Sequence, residues 1–344
     1  MIRSKQTSPL TSLASPTRSL LLISWLAVCL LCGLHVLFPH FTQQYGLYSL
    51  VIGIVFLGLP HGALDHLVPL KMGFAWGKKP LGISLYLLAY ITIAALYFGL
   101  WLWQPLAAFL GFLLATVFHW GQGDVRFLEI FLGRQRASKW GAGVSILLRG
   151  SLPMVLPVLA FPETAESLYI NAAKGLGLSP FPLDLSSSII VSSLTTYMLI
   201  LFALYIINAV KVSANPWTLR MDMAELALLT LLFCTVPAYM SVGIYFIAWH
   251  SLRHLARLII LKEIDAEKLK RGLWQKPVQR LVLDLLPITL AALGLLVGLY
   301  FWKARHVTSL ETFVALYLVL ISALTKPHLV VVALMDYAPK KETF

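Results

Sequence analysis

The chain has 344 residues, of which 59% are hydrophobic and only 12% charged, with a mean hydropathy of +0.81. A soluble domain carries about 25% charged residues, so a water-soluble multi-domain enzyme, a disordered chain and a fibrous chain are excluded in favour of an integral membrane protein. The net charge of +12 would suggest nucleic acid in a soluble protein, but here it is first weighed against loop topology.

A membrane-crossing helix needs about 20 mostly apolar residues. In chain order, apolar runs at 19–38, 46–66, 81–103, 105–120, 140–160, 187–210, 223–236, 238–260, 281–302 and 310–334 predict ten spans. The runs at 105–120 and 223–236 are short, which leaves nine spans or a re-entrant segment open. Pro39, Pro80, Pro105, Pro162, Pro216 and Pro237 fall at the breaks between runs, where helices end. The first run is longer than a signal-peptide core, and no clear cleavage site follows it. The expected fold is all-α, a polytopic transmembrane bundle of about ten spans. It is expected as one domain over 19–336 with tails at 1–18 and 337–344 and an outer loop at 161–186. Cys29, Cys32 and Cys234 all lie in apolar runs and offer neither a disulfide framework nor a zinc spacing.

Lys and Arg orient the bundle. With a cytoplasmic N-terminus, 23 of them fall on inner segments, the largest group being Arg253 to Arg280. Only Lys174, Lys303 and Arg305 fall outside, and Arg149 lies within a span. This asymmetry is a positive-inside signal. It puts both termini in the cytoplasm and accounts for the +12 charge without a nucleic-acid partner. The expected location is a cell's inner (plasma) membrane, with the lipid bilayer as solvent.

Six of the nine histidines lie in four polar patches embedded in apolar helix. The patches are His61-Gly-Ala-Leu-Asp65-His66, His119-Trp120-Gly-Gln-Gly-Asp124, Trp249-His250-Ser-Leu-Arg253-His254 and Lys326-Pro327-His328. The spans ending near 66, 120, 260 and 334 all run inward, so these six share one depth, near the inner face. Ionisable groups in a membrane are costly and mark functional sites. His250 and His254 are four apart and project from one helix face, as two ligands for one metal do. Asp65 has the same spacing from His61, whereas His66 is turned about 140° away. Pro60 and Pro327 precede His61 and His328, where a kink would aim the histidine inward. His35, His40 and His306 read as interface residues, Arg253 as a partner for an acid or a lipid headgroup, and the basic segment 262–280 as a solvated amphipathic stretch.

Imidazole suits zinc, copper, iron and nickel. No cysteine is near the patches, and imidazoles with carboxylates close by fit non-haem Fe(2+). Asp65 or Asp124 would accept a ligand's second N–H. Phe118, Trp120, Tyr245, Phe246 and Trp249 read as packing, with Phe118, Trp120, Phe246 and Trp249 as candidates for a substrate wall. Rival readings are a di-iron desaturase or hydroxylase, a haem-b carrier and a metal or proton transporter. The absence of a His-His pair argues against the first, and the clustering of polar groups at one end argues against the last.

At these four patches the chain resembles the Brp/Blh family of integral membrane β-carotene 15,15′-dioxygenases. The resemblance rests on Pro60-His61-Gly62-Ala63-x-Asp65-His66, Phe118-His119-Trp120-Gly121-x-x-Asp124, Trp249-His250-x-x-Arg253-His254 and Pro327-His328. It spans about residues 50 to 335. It implies cleavage of the central double bond of β-carotene by O2 to give two retinals, and a rhodopsin-type protein as retinal acceptor. It implies one iron held by His61, His119, His250 and His254, with Asp65, His66, Asp124 and His328 supporting the ligands or the substrate. A C40 carotenoid is on the order of 30 Å long, close to the hydrocarbon thickness. A metal near the inner face then requires the polyene to lie obliquely, in an apolar tunnel that passes the metal and is entered from lipid.

Overall fold

The computed structural model describes residues 15–132, 134, 138–212, 216–260, 265, 267–268, 271–303 and 306–337. The expected tails lie outside these residues up to Ala14 and beyond Tyr337, as do Arg136, Lys262, Lys270, Arg305, Lys340 and Lys341. The described residues are helical and contain no strand. In order the helices are α1 (Ser15–Leu37), α2 (Pro39–Gly53), α3 (Leu59–Gly62), α4 (Val68–Lys71) and α5 (Pro80–Trp103). Next come α6 (Pro105–Phe131), α7 (Lys139–Ala160), α8 (Pro162–Gly175), α9 (Ser188–Val212) and α10 (Pro216–Thr235). The last are α11 (Ala238–Tyr245), α12 (Leu252–Ile259), α13 (Gln275–Lys303) and α14 (Leu310–Tyr337). Two π-helical segments, Ile54–Gly58 and Phe246–Ser251, join α2 to α3 and α11 to α12. Five of the prolines read as breaks open α2, α5, α6, α8 and α10. The first helical N–H has no partner within the helix, so proline forfeits nothing there.

Seven helices are long and apolar enough to cross a membrane: Ser19–Leu37, Pro80–Trp103, Pro105–Phe131, Lys139–Ala160, Ser188–Lys211, Gln275–Lys303 and Leu310–Asp336. The three other runs read as spans fall on interrupted or polar helices. Those at 46–66 and 238–260 are each broken by a π segment, and α10 carries Arg220, Asp222 and Glu225. Two expectations are corrected. The run at 105–120 is no short or re-entrant span, because α6 continues for 27 residues to Phe131. Hydropathy ends it early because Gln122 and Asp124 are polar, yet both are buried and paired inside the protein. The outer loop at 161–186 is also not all loop, since it holds α8.

Apolar side chains cover the outer surface of the bundle. Leu22, Leu26 and Leu30 of α1, Leu81, Leu85 and Leu88 of α5, and Leu283, Leu290 and Phe301 of α13 are exposed. In water such a surface would aggregate; in a bilayer it is the lipid face. Lipid is as apolar as leucine, so cohesion comes from close packing and polar contacts instead. The α6–α7 crossing shows this at Gly121 and Gly150. A Cβ on Gly121 would strike the Ile146 carbonyl oxygen, and one on Gly150 the Val117 carbonyl oxygen. The two backbones therefore touch one turn from His119.

Candidate functional site

Four histidines from three separate stretches of helix converge at the centre of the bundle. His119 comes from α6, His250 from the second π segment, His254 from α12 and His328 from α14. The His119 ring centroid lies 5.1 Å from that of His250, 6.3 Å from that of His254 and 4.8 Å from that of His328. His254 and His328 are 5.4 Å apart. All four side chains are buried. The i,i+4 pair behaves as its spacing requires, with rings 6.3 Å apart and only 10° from parallel. The side chain of His61, the remaining expected ligand, lies outside the described residues.

The donor chemistry of this cluster suits a metal. Four imidazoles around one ion at about 2.1 Å have ring centroids roughly 5 Å apart, within the observed spread. Among the described residues, however, no three His, Cys, Asp or Glu side chains form a finished ion-binding set.

His328 is oriented by a buried carboxylate. Its Nδ1 lies 2.9 and 2.8 Å from the two carboxylate oxygens of Asp65. Tyr90 donates to Oδ2 of Asp65 (2.9 Å), and Tyr86 donates to its backbone carbonyl (2.9 Å). A carboxylate on Nδ1 selects the tautomer whose Nε2 carries the lone pair, the arrangement that orients ligating histidines elsewhere. Sequence spacing pairs Asp65 with His61. Among the described residues Asp65 contacts His328, 263 residues away. His66 stands apart, its Nδ1 2.8 Å from the Ala63 carbonyl in the same turn. The Nδ1 of His35 lies 2.7 Å from the Thr42 hydroxyl.

Asp124 serves the cluster indirectly. It accepts from Arg149 (2.5 Å), Arg253 (2.6 Å) and the Trp249 indole (3.0 Å). Arg253 also reaches Glu225 (2.6 Å), and Arg149 reaches Asp222 (2.7 Å) and Glu225 (3.1 Å). Tyr205 donates to Asp222 (2.8 Å), and Arg134 lies 3.2 Å from it. Three arginines thus face three carboxylates, which keeps this buried network neutral. A smaller one joins Arg257 and Gln122 of neighbouring helices to Asp336. Arg253 therefore pairs with acids inside the protein, and its guanidinium stacks 3.9 Å from the Trp249 ring. Residues 249 and 253 bind this network while 250 and 254 face the other histidines. Sequence reading missed Arg149, Asp222, Glu225 and Tyr205. The available signal was Arg149 itself, a charge in an apolar run.

The first π segment precedes one histidine patch and the second carries His250, and π turns are rare and frequently mark functional sites. Ser24 of α1 donates to the Ala248 carbonyl in the second segment (2.7 Å). That supplies a donor to a carbonyl at membrane depth, where water cannot.

Two apolar cavities meet at the cluster. The first, about 1050 Å³ including its mouth, is bounded by His119, Trp120, Phe246 and His328 at one end and by α8 at the other. The second, about 900 Å³, lies among α3, α5, α13 and α14. His328, Ile321 and Thr325 line both. Of the four residues read as a substrate wall, Trp120 and Phe246 line the first cavity. Phe118 and Trp249 are not among the residues lining either one, and Trp249 is fully buried against Arg253.

Comparison with known proteins fits this picture. The family model described as beta-carotene 15,15′-dioxygenase matches residues 52–336. The chain is 32% identical over 337 residues to the probable beta-carotene 15,15′-dioxygenase Blh of Halobacterium salinarum, covering 96% of each chain. It is 28% identical over 223 residues to Brp of the same organism, covering 62% of this chain and 58% of that one. It is 25% identical over 284 residues to a beta-carotene 15,15′-dioxygenase of an uncultured marine bacterium, covering 81% of this chain and 90% of the relative. No solved structure matches significantly. The family match covers all four histidine patches and every cavity-lining residue but Leu50, and the chain belongs to the β-carotene 15,15′-dioxygenase family.

Proposed function

We propose that this protein is an iron-dependent membrane oxygenase that splits the central 15,15′ double bond of β-carotene with O2 into two retinals. The observation that carries this is the convergence of four buried histidines where two apolar cavities meet. A polyene has no polar group to hold, so its site is a long apolar channel with its chemistry partway along. In the reaction one C=C is lost, and each of its carbons takes one oxygen atom of O2.

Iron would be held by His119, His250 and His254, by His61 as the family resemblance implies, and by His328, which reaches the same cluster. Bound ferrous iron would supply the activation of O2 that a closed-shell alkene needs. The chain's own residues do the rest. Asp65 keeps the His328 proton on Nδ1, and Tyr90 keeps Asp65 in place. The Arg253–Asp124–Trp249 contacts hold the turn that carries His250 and His254. Trp120 and Phe246, with ring centroids 5.5 Å apart, flank the polyene beside the histidines and help exclude water. The remaining parts of the reading are ten crossings, cytoplasmic termini, an inner-membrane location and a rhodopsin-type protein receiving the retinal.

Expression in bacteria that make β-carotene tests the reading. Colour should fade while retinal accumulates at two molecules per carotenoid lost, and the purified protein should carry one iron. Colour retained with no retinal, from a protein inserted in the membrane, would reject it.

A further inference from the structure

The two cavities differ in what lines their far ends. Taking the histidines as the origin, the first runs toward α8 between α6, α7, α11 and α14. It finishes beneath α8, at Phe161, Thr164, Ala165 and Leu168. Its length can be read on two helices that line it. From His119 to Phe109 on α6, and from His328 to Leu318 on α14, are ten residues each, or about 15 Å at 1.5 Å per residue. Half of a C40 polyene on the order of 30 Å is the same length.

The second cavity is different at its far end. Leu87 of α5 is 39% exposed, and Ile288 and Leu295 of α13 are 40% and 59% exposed. These are apolar residues on the lipid face, so this cavity opens sideways into the bilayer. Toward the C-terminal ends of the same helices, the Phe98 and Trp302 rings close the gap between α5 and α13, with centroids 6.2 Å apart.

We propose that the cavities are the two arms of one carotenoid site, with the α5–α13 arm as the lipid-facing entrance and the arm under α8 as a stop that sets which double bond is cut. This rests on the function proposed above and deepens it. One end of the polyene enters from the bilayer, passes the histidines and halts against α8. Half of its length then lies beyond the reacting atoms, which brings the 15,15′ bond to them. Central cleavage follows from the depth of the stop, because successive double bonds of a polyene are chemically alike. Ala165 is the position where the stop is most easily moved, being a small side chain in the wall formed by α8.

The test is Ala165→Phe, with Leu295→Trp at the entrance as its companion. Ala165→Phe shortens the arm under α8 without touching a histidine. With β-carotene it is expected to make pairs of unequal aldehydes by cutting an off-centre double bond, each cut still using one O2. Retinal formation should fall by about tenfold or more, the scale on which a pocket rejects an oversized group. If cleavage of β-carotene stops altogether, an apocarotenal lacking one terminal ring should still be cleaved, since its shorter end fits the shortened arm. Leu295→Trp should slow loading, raising KM several-fold while the product stays retinal. Carotenoid retained by the iron-stripped protein, read from its visible spectrum, should fall for both variants. Retinal as sole product at the parent rate from Ala165→Phe would overturn the stop. So would failure on both substrates with carotenoid binding intact. An unchanged KM in Leu295→Trp would overturn the entrance. If the unmodified protein itself makes no retinal, the proposed function fails instead, which separates the two ideas.

Discussion

At the level of single residues, the site depends on two kinds of buried polar contact. The first is the Asp65–His328 pair. Asp65→Asn keeps the shape but removes the charge that fixes the imidazole, and loss of such a partner typically weakens metal affinity by about 10–100-fold. Iron titration of the purified variant should show that loss with the helical spectrum unchanged, and His328→Ala should lower bound iron further. Undiminished iron in both would remove His328 from the cluster's function. The second is the arginine–carboxylate network. Arg149→Met leaves Asp124, Asp222 and Glu225 facing only Arg253 and Arg134. Breaking a buried ion pair from one side costs about 3–5 kcal/mol, so this variant should unfold at distinctly lower temperature in detergent. The surface pair Arg271–Glu267 is solvated, and Arg271→Ala should leave the melting curve unchanged. The histidine pair at 250 and 254 was legible from spacing alone. The pairing of Asp65 with His328 was not, because it joins opposite ends of the chain.

At the level of helices, position is set by contacts in which nothing larger than hydrogen fits and by turns that are not α-helical. Gly150→Leu would drive a side chain into the Val117 carbonyl and push α7 away from the turn that carries His119. Overpacking of this kind costs about 1–3 kcal/mol, so reduced thermal stability and reduced iron binding should appear together, and normal values for both would show that the crossing can yield. The π segment at Phe246–Ser251 makes a separate prediction. Deleting Ile247 should restore a regular helical turn and rotate Trp249 and His250 relative to α11. Circular dichroism should then show an intact helical protein while iron binding is lost. Retained iron would mean that the π turn has no part in placing the histidines. Helix ends were readable from the prolines. The end of α6 was not, because hydropathy treats Gln122 and Asp124 as solvent-seeking when both are buried and bonded to charged side chains inside the protein.

For the whole molecule, the charge asymmetry predicts an orientation. Reporter fusions after Lys71 should read cytoplasmic, and a fusion near Glu163 should read external. The opposite pattern would invert the bundle and place the histidines near the outer face. His119, His250, His254 and His328 come together as a shared depth requires, which either orientation allows.

Composition alone determined that the chain lives in lipid, since 12% charge cannot clothe a particle of this size in water. Periodicity and spacing determined which histidines share a face, because a helix repeats on a local scale of three to four residues. The four patch motifs determined the family. The tertiary structure alone decided that His328 joins the cluster, that Arg149 and Arg253 bind carboxylates on α6 and α10, and that Trp249 supports the site from behind. It also decided that two apolar cavities meet at the histidines and end differently. The reason is one of range. Local sequence governs torsions and faces within a helix, whereas a cavity is the space left between helices, and its walls come from residues hundreds of positions apart. An ion pair buried in a membrane likewise has no local signature beyond the charges themselves, since either partner alone reads as an error in an apolar run.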